Sequence, residues 1–574
     1  MTKRIVLDIE TSTKHDKIHL VCTLDIDTQE AHTWKNPQEL KAYIQDATLI
    51  IGHNLIAFDA SVLNKLWSTK IRLTQVFDTL IVSRLIDPSR ENGHSLEAWG
   101  ETLGALKTDY RAKWLEAKGL PDKGTPKGLE FDDPVVDVLE DYCAQDVKVT
   151  AKLYHKLVAE LESKGFSEQS VELEHKVAAI IAQQVRNGFK LDVVYATTLI
   201  ADLQTQVDRI YQQFQDKWPP YEVERISEKT GKTLKPLLVT FNPGSRQQIA
   251  EKLMELGWKP TQKTEKGSII VDEAVLEKID LPEAKLFLDY LLLQKRISQV
   301  KSWLEALGDD GRVHGKVITN GAVTGRMTHS SPNMAQIPNH GSLYGAECRA
   351  CWTVDDGNVL VGCDASGLEL RMLAHYMKDA DYVKTVVEGS SKDGTDVHTK
   401  NQKAAGLQTR DQAKTFIYGW MYGAGPAKIG TIIGGTAKDG QRLIDSFLKA
   451  TPAIKKLRDL VAKYASKGFV PGLDGRKIWV RSEHSALNSL LQGAGAIVMK
   501  QGLVILHGKL QKEKLRARFV ANVHDEWQIE CHPDDADAVG KAAVASIREA
   551  GEFFNLRCPL DGEYKIGSNW SKTH

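Results

Sequence analysis

The stretch Asn358-Val-Leu-Val-Gly-Cys-Asp364 ends an apolar run with a single carboxylate, and the interpretation of the second half of the chain starts from it. A second lone aspartate, Asp525, lies inside Val523-His-Asp-Glu526. Between them, four residues follow one another at four-residue steps: Arg410, Lys414, Tyr418 and Tyr422. Each such step advances an ideal helix by about 40° beyond a full turn, so these side chains form one slowly winding stripe. The stripe suits a triphosphate at its basic end and a base at its aromatic end, while the aspartates suit divalent metal.

The pattern predicts phosphoryl transfer onto a growing nucleic acid strand. Each part also has a simpler interpretation, because an Asp after an apolar strand is most often a turn or cap residue, and an aromatic-rich helix usually belongs to a core. The residues around these positions favour the functional interpretation. The stretches 364–371 (DASGLELR), 410–423 (RDQAKTFIYGWMYG) and 523–526 (VHDE) resemble motifs A, B and C of the family A DNA polymerases, in the expected order.

Composition sets the outer limits of the interpretation. The 574 residues predict roughly four domains or fewer, and 42% hydrophobic with 26% charged residues is typical of an ordinary soluble protein. Lys+Arg and Asp+Glu both count 75, which excludes a uniformly basic nucleic-acid binder but leaves room for a basic cleft balanced by acidic outer faces.

The amino terminus and the cysteines indicate the compartment. The start, Met1 to Asp8, has too short an apolar stretch for a signal peptide, and we expect that no later run approaches a membrane span. The seven cysteines are scattered, as is typical of reduced thiols, and we interpret the single Cys348-Arg-Ala-Cys351 pair as packing. The expected location is the cytoplasm, that of a host bacterium if a phage encodes the chain.

The first strand of the chain predicts a metal site. In Ile5-Val-Leu-Asp-Ile-Glu10 the two carboxylates share a strand face, because side chains alternate with period two. Like charges at the end of a buried strand repel one another unless a cation joins them. A second apolar strand leads to Gly52–Asp59, and Tyr142 and Asp146 share the face of a helical segment.

These segments resemble the three motifs of DEDD-type 3′–5′ proofreading exonucleases, of the subtype with a tyrosine in the third motif. The resemblance implies an active site in which two metal ions are bound by Asp8, Glu10, Asp59 and Asp146. It also implies that Tyr142 orients the attacking water. We predict the segment 104–134 to be a loop-rich excursion without chemistry, because it is rich in Lys, Gly, Pro and Asp.

A helical pattern from Ser170 to Arg186 ends at Asn187-Gly188, which predicts the domain boundary. The fold class expected for 1–187 is an α/β exonuclease with a ribonuclease H-like mixed sheet. For 188–574 it is an α+β right-hand polymerase, with an antiparallel palm sheet and helical thumb and fingers. The expected subdivisions are a thumb at about 195–300, a palm at about 305–384 and 476–574, and fingers at about 385–475. Phe241–Ser245 predicts a helix start that either is an ordinary cap or offers backbone N–H groups to a phosphate.

The polymerase resemblance assigns roles residue by residue. Asp364 and Asp525 would hold two Mg²⁺ ions, with Mn²⁺ as the alternative metal. Contacts with the incoming nucleotide would come from His398, Arg410, Lys414, Tyr418, Tyr422 and the steric-gate residue Glu369, with Lys414 also counted as catalytic. Contacts with the primer–template minor groove would come from Arg326, Gln336, Gln492 and His524. The role of Glu526 stays open, and Tyr418, where the family often has Phe, suggests acceptance of dideoxynucleotides.

Two further segments, Gly93–Gly100 and Asn320–Arg326, precede motif A. With them, nearly the whole chain resembles the bacteriophage T-seven type of replicative polymerase. That type carries a large thumb insertion for host thioredoxin, whereas Trp218–Thr240 is short here, so we expect thioredoxin independence. The implied partners are primer–template DNA and deoxynucleoside triphosphates, with a replicative helicase as a further candidate and no membrane.

Two other functions are compatible with parts of this pattern. A single-subunit RNA polymerase shares the two aspartates and a Lys/Tyr helix, but the exonuclease motifs and Glu369 argue against it. A catalytically silent DNA-binding or scaffold protein is disfavoured, because an unused cluster of buried carboxylates is costly to keep. Replication and repair are harder to separate. No 5′-nuclease segment precedes the exonuclease, which favours a phage replicase.

Overall fold

The computed structural model describes residues 3–106, 108–226 and 231–574. The chain divides into two compact units: unit 1 contains Met1–Asn187, Lys316–Ser330 and Val361–Ile566, and unit 2 contains Gly188–Gly315, Ser331–Leu360 and Gly567–His574. The expected boundary at Asn187-Gly188 coincides with the end of the first stretch of unit 1. The functional subdivision into exonuclease, thumb, palm and fingers stays a prediction.

The elements follow in chain order. Up to residue 187 they are β1 (Lys3–Thr11), β2 (Ile18–Asp25), β3 (Ala31–Trp34), α1 (Pro37–Ile44), β4 (Ala47–Gly52), α2 (Asp59–Leu66), β5 (Val76–Asp78), α3 (Thr79–Ile86), α4 (Leu96–Thr102), α5 (Tyr110–Lys118), α6 (Leu129–Asp132), α7 (Val136–Lys164) and α8 (Glu168–Asn187). From 189 to 353 they are β6 (Phe189–Leu191), α9 (Val193–Lys217), β7 (Tyr221–Ile226), β8 (Thr233–Val239), α10 (Arg246–Glu255), α11 (Glu273–Leu276), α12 (Pro282–Glu305), β9 (Arg312–Val313), β10 (Lys316–Ile318), β11 (Thr328–Ser330), α13 (Gly345–Ala350) and β12 (Trp352–Thr353). The remainder are β13 (Val359–Ala365), α14 (Leu368–Met377), α15 (Ala380–Glu388), α16 (Val397–Ala405), α17 (Arg410–Met421), α18 (Pro426–Ile432), α19 (Ala437–Ala450), α20 (Pro452–Ala465), β14 (Phe469–Pro471), β15 (Lys477–Trp479), α21 (Glu483–Lys512), β16 (Ala517–Val523), β17 (Glu526–Cys531), α22 (Ala536–Phe553) and β18 (Gly562–Gly567), and short 3₁₀ turns include Met334–Gln336.

The first stretch of unit 1 is built on a mixed sheet in the order β3-β2-β1-β4-β5. Strand β1 pairs antiparallel with β2 and parallel with β4, and β4 pairs parallel with β5. The central strands are apolar along most of their length because helices cover them: α7 packs on β1 and β2. The mixed sheet expected from the sequence is confirmed.

The prediction that the segment 104–134 is a loop-rich excursion is wrong in part. It contains α5 and the short α6, and Tyr110 and Trp114 of α5 are buried in the core beside α7. The Lys and Gly content that suggested a loop lies on the exposed side and at the ends of α5, where Gly119 adopts φ +65 as its C-cap. Lys107 lies outside the described residues.

The rest of unit 1 is built on the sheet β16-β17-β13-β18, in which β16 and β17 are antiparallel. Helices α21 and α22 pack together, and α14 packs on α21. Helices α16 to α19 form a neighbouring helical group in which α17 packs on α16 and α18.

Helix α21 is 30 residues long and apolar on nearly all sides. By length and composition it could cross a membrane, so the expectation that no run approaches a membrane span is wrong; 72% of its most apolar window is buried inside the protein. Its packing is close. A Cβ at Gly493 would lie 2.3 Å from Ile478 Cδ1, and one at Gly502 would lie 3.0 Å from the Trp527 ring.

Unit 2 contains the long helices α9 and α12, which run antiparallel. The end of α9 meets the start of α12, where Lys217 pairs with Glu283 and Phe214 stacks on Phe287 at 4.4 Å between ring centroids. Ser245 caps α10 by accepting from Gln248 N, which bears out the predicted helix start. The short stretch Trp218–Thr240 holds the hairpin β7–β8, with residues 227–230 outside the described part of the chain.

Candidate active sites

The first site is built on β1. Ligand atoms of Asp8, Glu10 and Cys143 all lie within 4.8 Å of one another. The two carboxylates share a strand face, as period two requires, and the thiol comes from α7, where Cys143 Sγ lies 3.4 Å from Asp8 Oδ2. Cys143 was not predicted as a site residue, although it directly follows Tyr142 in the sequence.

Asp59 is brought to the same place by the start of α2. Its Oδ1 accepts a hydrogen bond of 3.2 Å from the backbone N–H of Ile9, which lies between Asp8 and Glu10. Burial and then the nearby charge of Asp8 raise the pKa of Asp59 well above its usual value. A bound divalent cation would stabilise the charged form of these clustered carboxylates, so the cluster suits a metal site.

Helix α7 carries the remaining predicted residues of this site. Asp146 is buried and lies one turn beyond Cys143, on the side of the helix that packs on β1. Tyr142 precedes Cys143, and its ring stacks on that of Tyr110 with 5.3 Å between centroids. The Tyr110 hydroxyl donates to the Glu130 carbonyl oxygen at 2.6 Å. Tyr110 was missed because its segment was interpreted as a loop.

A groove of about 770 Å³ lies beside this site. It is lined by segments around Asn54 and Phe58, by α3 and α8, and by β10 and the end of β11. Five of its lining residues are cations: Lys14, Lys65, Arg84, Arg186 and Lys316. Such a lining favours a polyanion, although the whole chain has no net charge.

The second site joins two strand ends of the other sheet. Asp364 is exposed near the end of β13, and the next residue, Ala365, donates its backbone N–H to the Asp525 carbonyl oxygen at 3.1 Å. Asp525 lies in the turn between β16 and β17, after His524 at φ +56. Burial raises the pKa of the Asp525 carboxyl, a shift that a bound cation would oppose. The two aspartates, which are far apart in the sequence, are therefore neighbours in the structure.

The predicted stripe lies on α17. A capping box between Thr409 and Gln412 begins the helix, which ends at Met421, so that Tyr422 is its C-cap residue. Lys414 is exposed and Tyr418 half-buried, and the rings of Tyr418 and Tyr422 are 6.3 Å apart. The pKa of Tyr418 is raised by burial and by the charges of Glu369 and Asp525, which locates the helix beside both carboxylates.

Glu369 is held from two sides. Its Oε1 accepts from Arg326 Nη2 at 3.0 Å, and its Oε2 accepts from the Tyr422 hydroxyl. Burial and this hydrogen bond raise the pKa of Tyr422, so the phenol stays protonated as the donor. Glu369 is therefore a positioned carboxylate that links motif A to motif B.

His398 and Arg410 meet at the start of α16. Arg410 donates to Asp396 Oδ2 at 3.0 and 2.7 Å, and Asp396 also caps α16. His398 is buried, and its Nδ1, which has no exposed surface, has no hydrogen-bond partner within residues 3–106, 108–226 and 231–574. Its ring lies 6.1 Å from that of Tyr418. Contact between this nitrogen and a ligand would therefore require a local movement of α16 or of the residues that cover the ring.

The predicted minor-groove residues divide between the units. Arg326, His524 and Asp525 line one cavity in unit 1 together with Lys500, and Gln492 is half-buried on α21. Gln336 belongs to unit 2, where it is exposed at the end of a 3₁₀ turn. Glu526 is buried and accepts from Gln528, so it is oriented within β17. The binding roles of all these residues stay predictions.

Comparisons with known proteins match the chain to two families. Residues 3–162 match the 3′–5′ exonuclease family, and residues 220–572 match DNA polymerase family A. The DNA-directed DNA polymerases of Enterobacteria phage T3 and Escherichia phage T7 are each 34% identical to the chain over 716 aligned residues, covering 99% of it and 100% of each relative. The solved POL domain of Pol1 from M. smegmatis, in complex with DNA primer-template and dNTP, shares the fold with a TM-score of 0.75 at 17% identity, covering 100% of this chain and 96% of that one.

Proposed function

Because this chain belongs to the family A DNA polymerases and has a 3′–5′ exonuclease domain, we propose that it replicates a phage genome and proofreads its own product. The observation that carries the proposal is the junction of Asp364 and Asp525 beside the α17 stripe. The phage role is supported by identity over the whole length to the two phage polymerases. The proposed substrates are primer–template DNA and deoxynucleoside triphosphates, the ligands named for the M. smegmatis structure.

In the polymerase site, Asp364 and Asp525 would hold two Mg²⁺ ions, for which carboxylate oxygens are suitable ligands. Metal ions bound there would lower the pKa of the primer 3′-hydroxyl and neutralise charge on the leaving pyrophosphate. Lys414 and His398 bind triphosphate oxygens, and Arg410 joins them by leaving Asp396. The Tyr418 ring supports the base. Glu369, fixed by Arg326 and Tyr422, blocks the place of a ribose 2′-hydroxyl.

In the exonuclease site, Asp8, Glu10, Asp59 and Asp146 would hold two divalent cations, Mg²⁺ in our proposal, whose chemistry is to activate water and stabilise the pentavalent phosphate. Tyr142, supported by Tyr110, orients the water. The basic groove beside the site binds the phosphates of the unpaired strand that is to be trimmed.

The enzyme is proposed to work without thioredoxin, in the host cytoplasm and beside a replicative helicase. The alignment with the phage relatives runs over 716 positions, whereas this chain has 574 residues, so the relatives contain segments that this chain lacks. At the predicted place of the thumb insertion, the described part of the chain has only the hairpin β7–β8. The link to a helicase rests on the likeness to phage polymerases alone.

The test is extension of a primer on a long single-stranded template by the purified full chain, with and without added thioredoxin. We expect the same product length in both reactions, strict dependence on a divalent cation, and extension with deoxynucleotides but not ribonucleotides. Asp525→Asn should abolish extension and Asp8→Asn should abolish excision. Product that lengthens on addition of thioredoxin would contradict the independence, and extension that survives Asp525→Asn would contradict the site.

A further inference from the structure

Helix α8 carries two adjacent buried residues that contact different parts of unit 1. The Glu174 side chain has no exposed surface, and His175 is 5% exposed. A buried carboxylate is costly unless it is paired, so each contact of this residue matters to the fold. Neither residue belongs to the motifs that define the two sites.

Glu174 accepts two charge-assisted hydrogen bonds through Oε1. One comes from Arg476 Nη1 and the other from Lys500 Nζ, both at 2.6 Å. Arg476 also binds the carboxylate of Asp474 at 2.6 to 3.0 Å. The four side chains are all buried and contain two charges of each sign, so the network is neutral as a whole.

Both cations of this network reach the polymerase site. Lys500 lines the same cavity as Asp525 and Arg326. Arg476 lies against the backbone before Arg326: a Cβ on Gly325, which has φ +76, would be 3.3 Å from Arg476 Nη1. Arg326 in turn holds Glu369. Glu174 is therefore connected to the predicted steric gate through Arg476, the Gly325 backbone and Arg326.

His175 reaches the exonuclease site by a similar path. Its Nε2 accepts the backbone N–H of Asp78 at 2.8 Å, and its Nδ1–H donates to the Val171 carbonyl oxygen at 2.7 Å. The Asp78 carboxylate accepts from Asn54 N and Ile56 N, both at 3.0 Å. Those residues form the loop that leads into Asp59. Burial lowers the pKa of His175, which keeps Nε2 available as an acceptor.

We propose that α8 is a shared support of the two catalytic centres, in which Glu174 is a positioning residue of the polymerase site and His175 a positioning residue of the exonuclease site. The proposal rests on the assignment of Asp525 and Asp59 to those centres. Since each residue acts through its own chain of contacts, changing one should affect mainly one activity. A helix that only held the fold together would affect both activities equally.

The experiment measures both activities of two single variants of the full chain. Glu174→Gln keeps the shape and one acceptor oxygen but leaves one buried positive charge in excess; His175→Leu removes the acceptor for Asp78 N. We expect Glu174→Gln to lower kcat for nucleotide addition about 10- to 100-fold with KM for the nucleotide within about threefold. Excision of single-stranded DNA should stay near wild type. His175→Leu should show the opposite pattern, and His175→Gln, which offers a carbonyl acceptor, should restore excision.

Two further variants keep the test decisive. Asp525→Asn and Asp59→Asn check the site assignments: if either leaves its activity intact, the proposed function fails, whatever α8 does. If Glu174→Gln does not fold, Glu174→Gln/Lys500→Met removes one charge of each sign and is measured in its place, with the same selective loss of kcat expected. Equal losses of both activities in either α8 variant, or no loss of polymerisation in the Glu174 variant that folds, would overturn the shared support.

Discussion

The stack of Tyr110 on Tyr142 predicts that a residue outside the exonuclease motifs controls excision. The perturbation is Tyr110→Leu, which keeps an apolar side chain in the core but removes both the ring and the hydroxyl. We expect excision of single-stranded DNA to fall about 10- to 100-fold, because displacement of a catalytic group by about 1 Å has effects of this size. Nucleotide addition should be unchanged.

The cost in stability follows from the two contacts that are lost. The hydrogen bond to the Glu130 carbonyl is 2.6 Å long and buried, and leaving that acceptor unpaired costs about 1–3 kcal/mol. The ring stack at 5.3 Å contributes about 0.5–1.5 kcal/mol. Together the free energy of unfolding should fall by about 1.5–4.5 kcal/mol. Tyr110→Phe should lose only the first part and keep excision within about threefold, since the stack remains.

The assay is single-turnover release of the 3′ nucleotide from a labelled oligonucleotide, with primer extension and urea unfolding measured on the same preparations. Trp114→Leu, one turn further along α5, is the matched control for lost stability, because Trp114 is fully buried and donates to the Asp133 carbonyl oxygen at 2.9 Å. Excision by Tyr110→Leu that matches the Trp114 control, or that stays within threefold of wild type, would refute the positioning of Tyr142 by Tyr110.

Three other predictions concern α16 and α17 of unit 1 and the long helices of unit 2. Asp396→Asn keeps the cap of α16 but loses the charge that pairs with Arg410; burial alone would raise the pKa of Asp396, but hydrogen bonds from Arg410 and Thr399 lower it overall. The folded pKa of Asp396 lies below its unfolded value of about 4, so its pair with Arg410 stabilises the fold above that pH. The difference in unfolding free energy between wild type and Asp396→Asn should therefore be largest near neutral pH. It should shrink as the pH falls below about 4. Tyr418→Phe should raise discrimination against dideoxynucleotides about tenfold or more in competition assays; equal acceptance by both proteins would argue against a role for the hydroxyl. Phe287→Ala should lower the free energy of unfolding by about 3–5 kcal/mol, and an unchanged free energy of unfolding would contradict the packing against Phe214. The same variant should weaken primer–template binding in gel-shift assays and leave excision of short single strands unchanged.

Local pattern in the sequence predicted what depends on local geometry. The period of two placed Asp8 and Glu10 on one face of β1, and the four-residue spacing placed Lys414 and Tyr418 on one face of α17. Both follow from the backbone, whatever surrounds it. The family resemblance then supplied the association of Asp364 with Asp525, which spacing alone could not.

Contacts between distant segments were not predictable in this way. Glu174 binds partners 302 and 326 positions further along the chain, and nothing in its own neighbourhood indicates them. Tyr110 was missed for a different reason: the Gly- and Pro-rich residues 119–128 dominate the composition of the segment 104–134, although α5 itself consists largely of good helix formers. The prediction that no run approaches a membrane span failed at α21, because a helix that is buried on nearly all sides has the composition of a membrane span.

The glycines of α21 limit how this enzyme can change over evolutionary time. Each glycine inside a helix destabilises it by roughly 0.5–1 kcal/mol relative to alanine, yet a methyl group at Gly493 or Gly502 would press on the Ile478 side chain or the Trp527 ring, which would have to shift. Substitution of either glycine therefore requires an accompanying adjustment of the side chain that it touches. Libraries that vary these two positions should vary Ile478 and Trp527 with them.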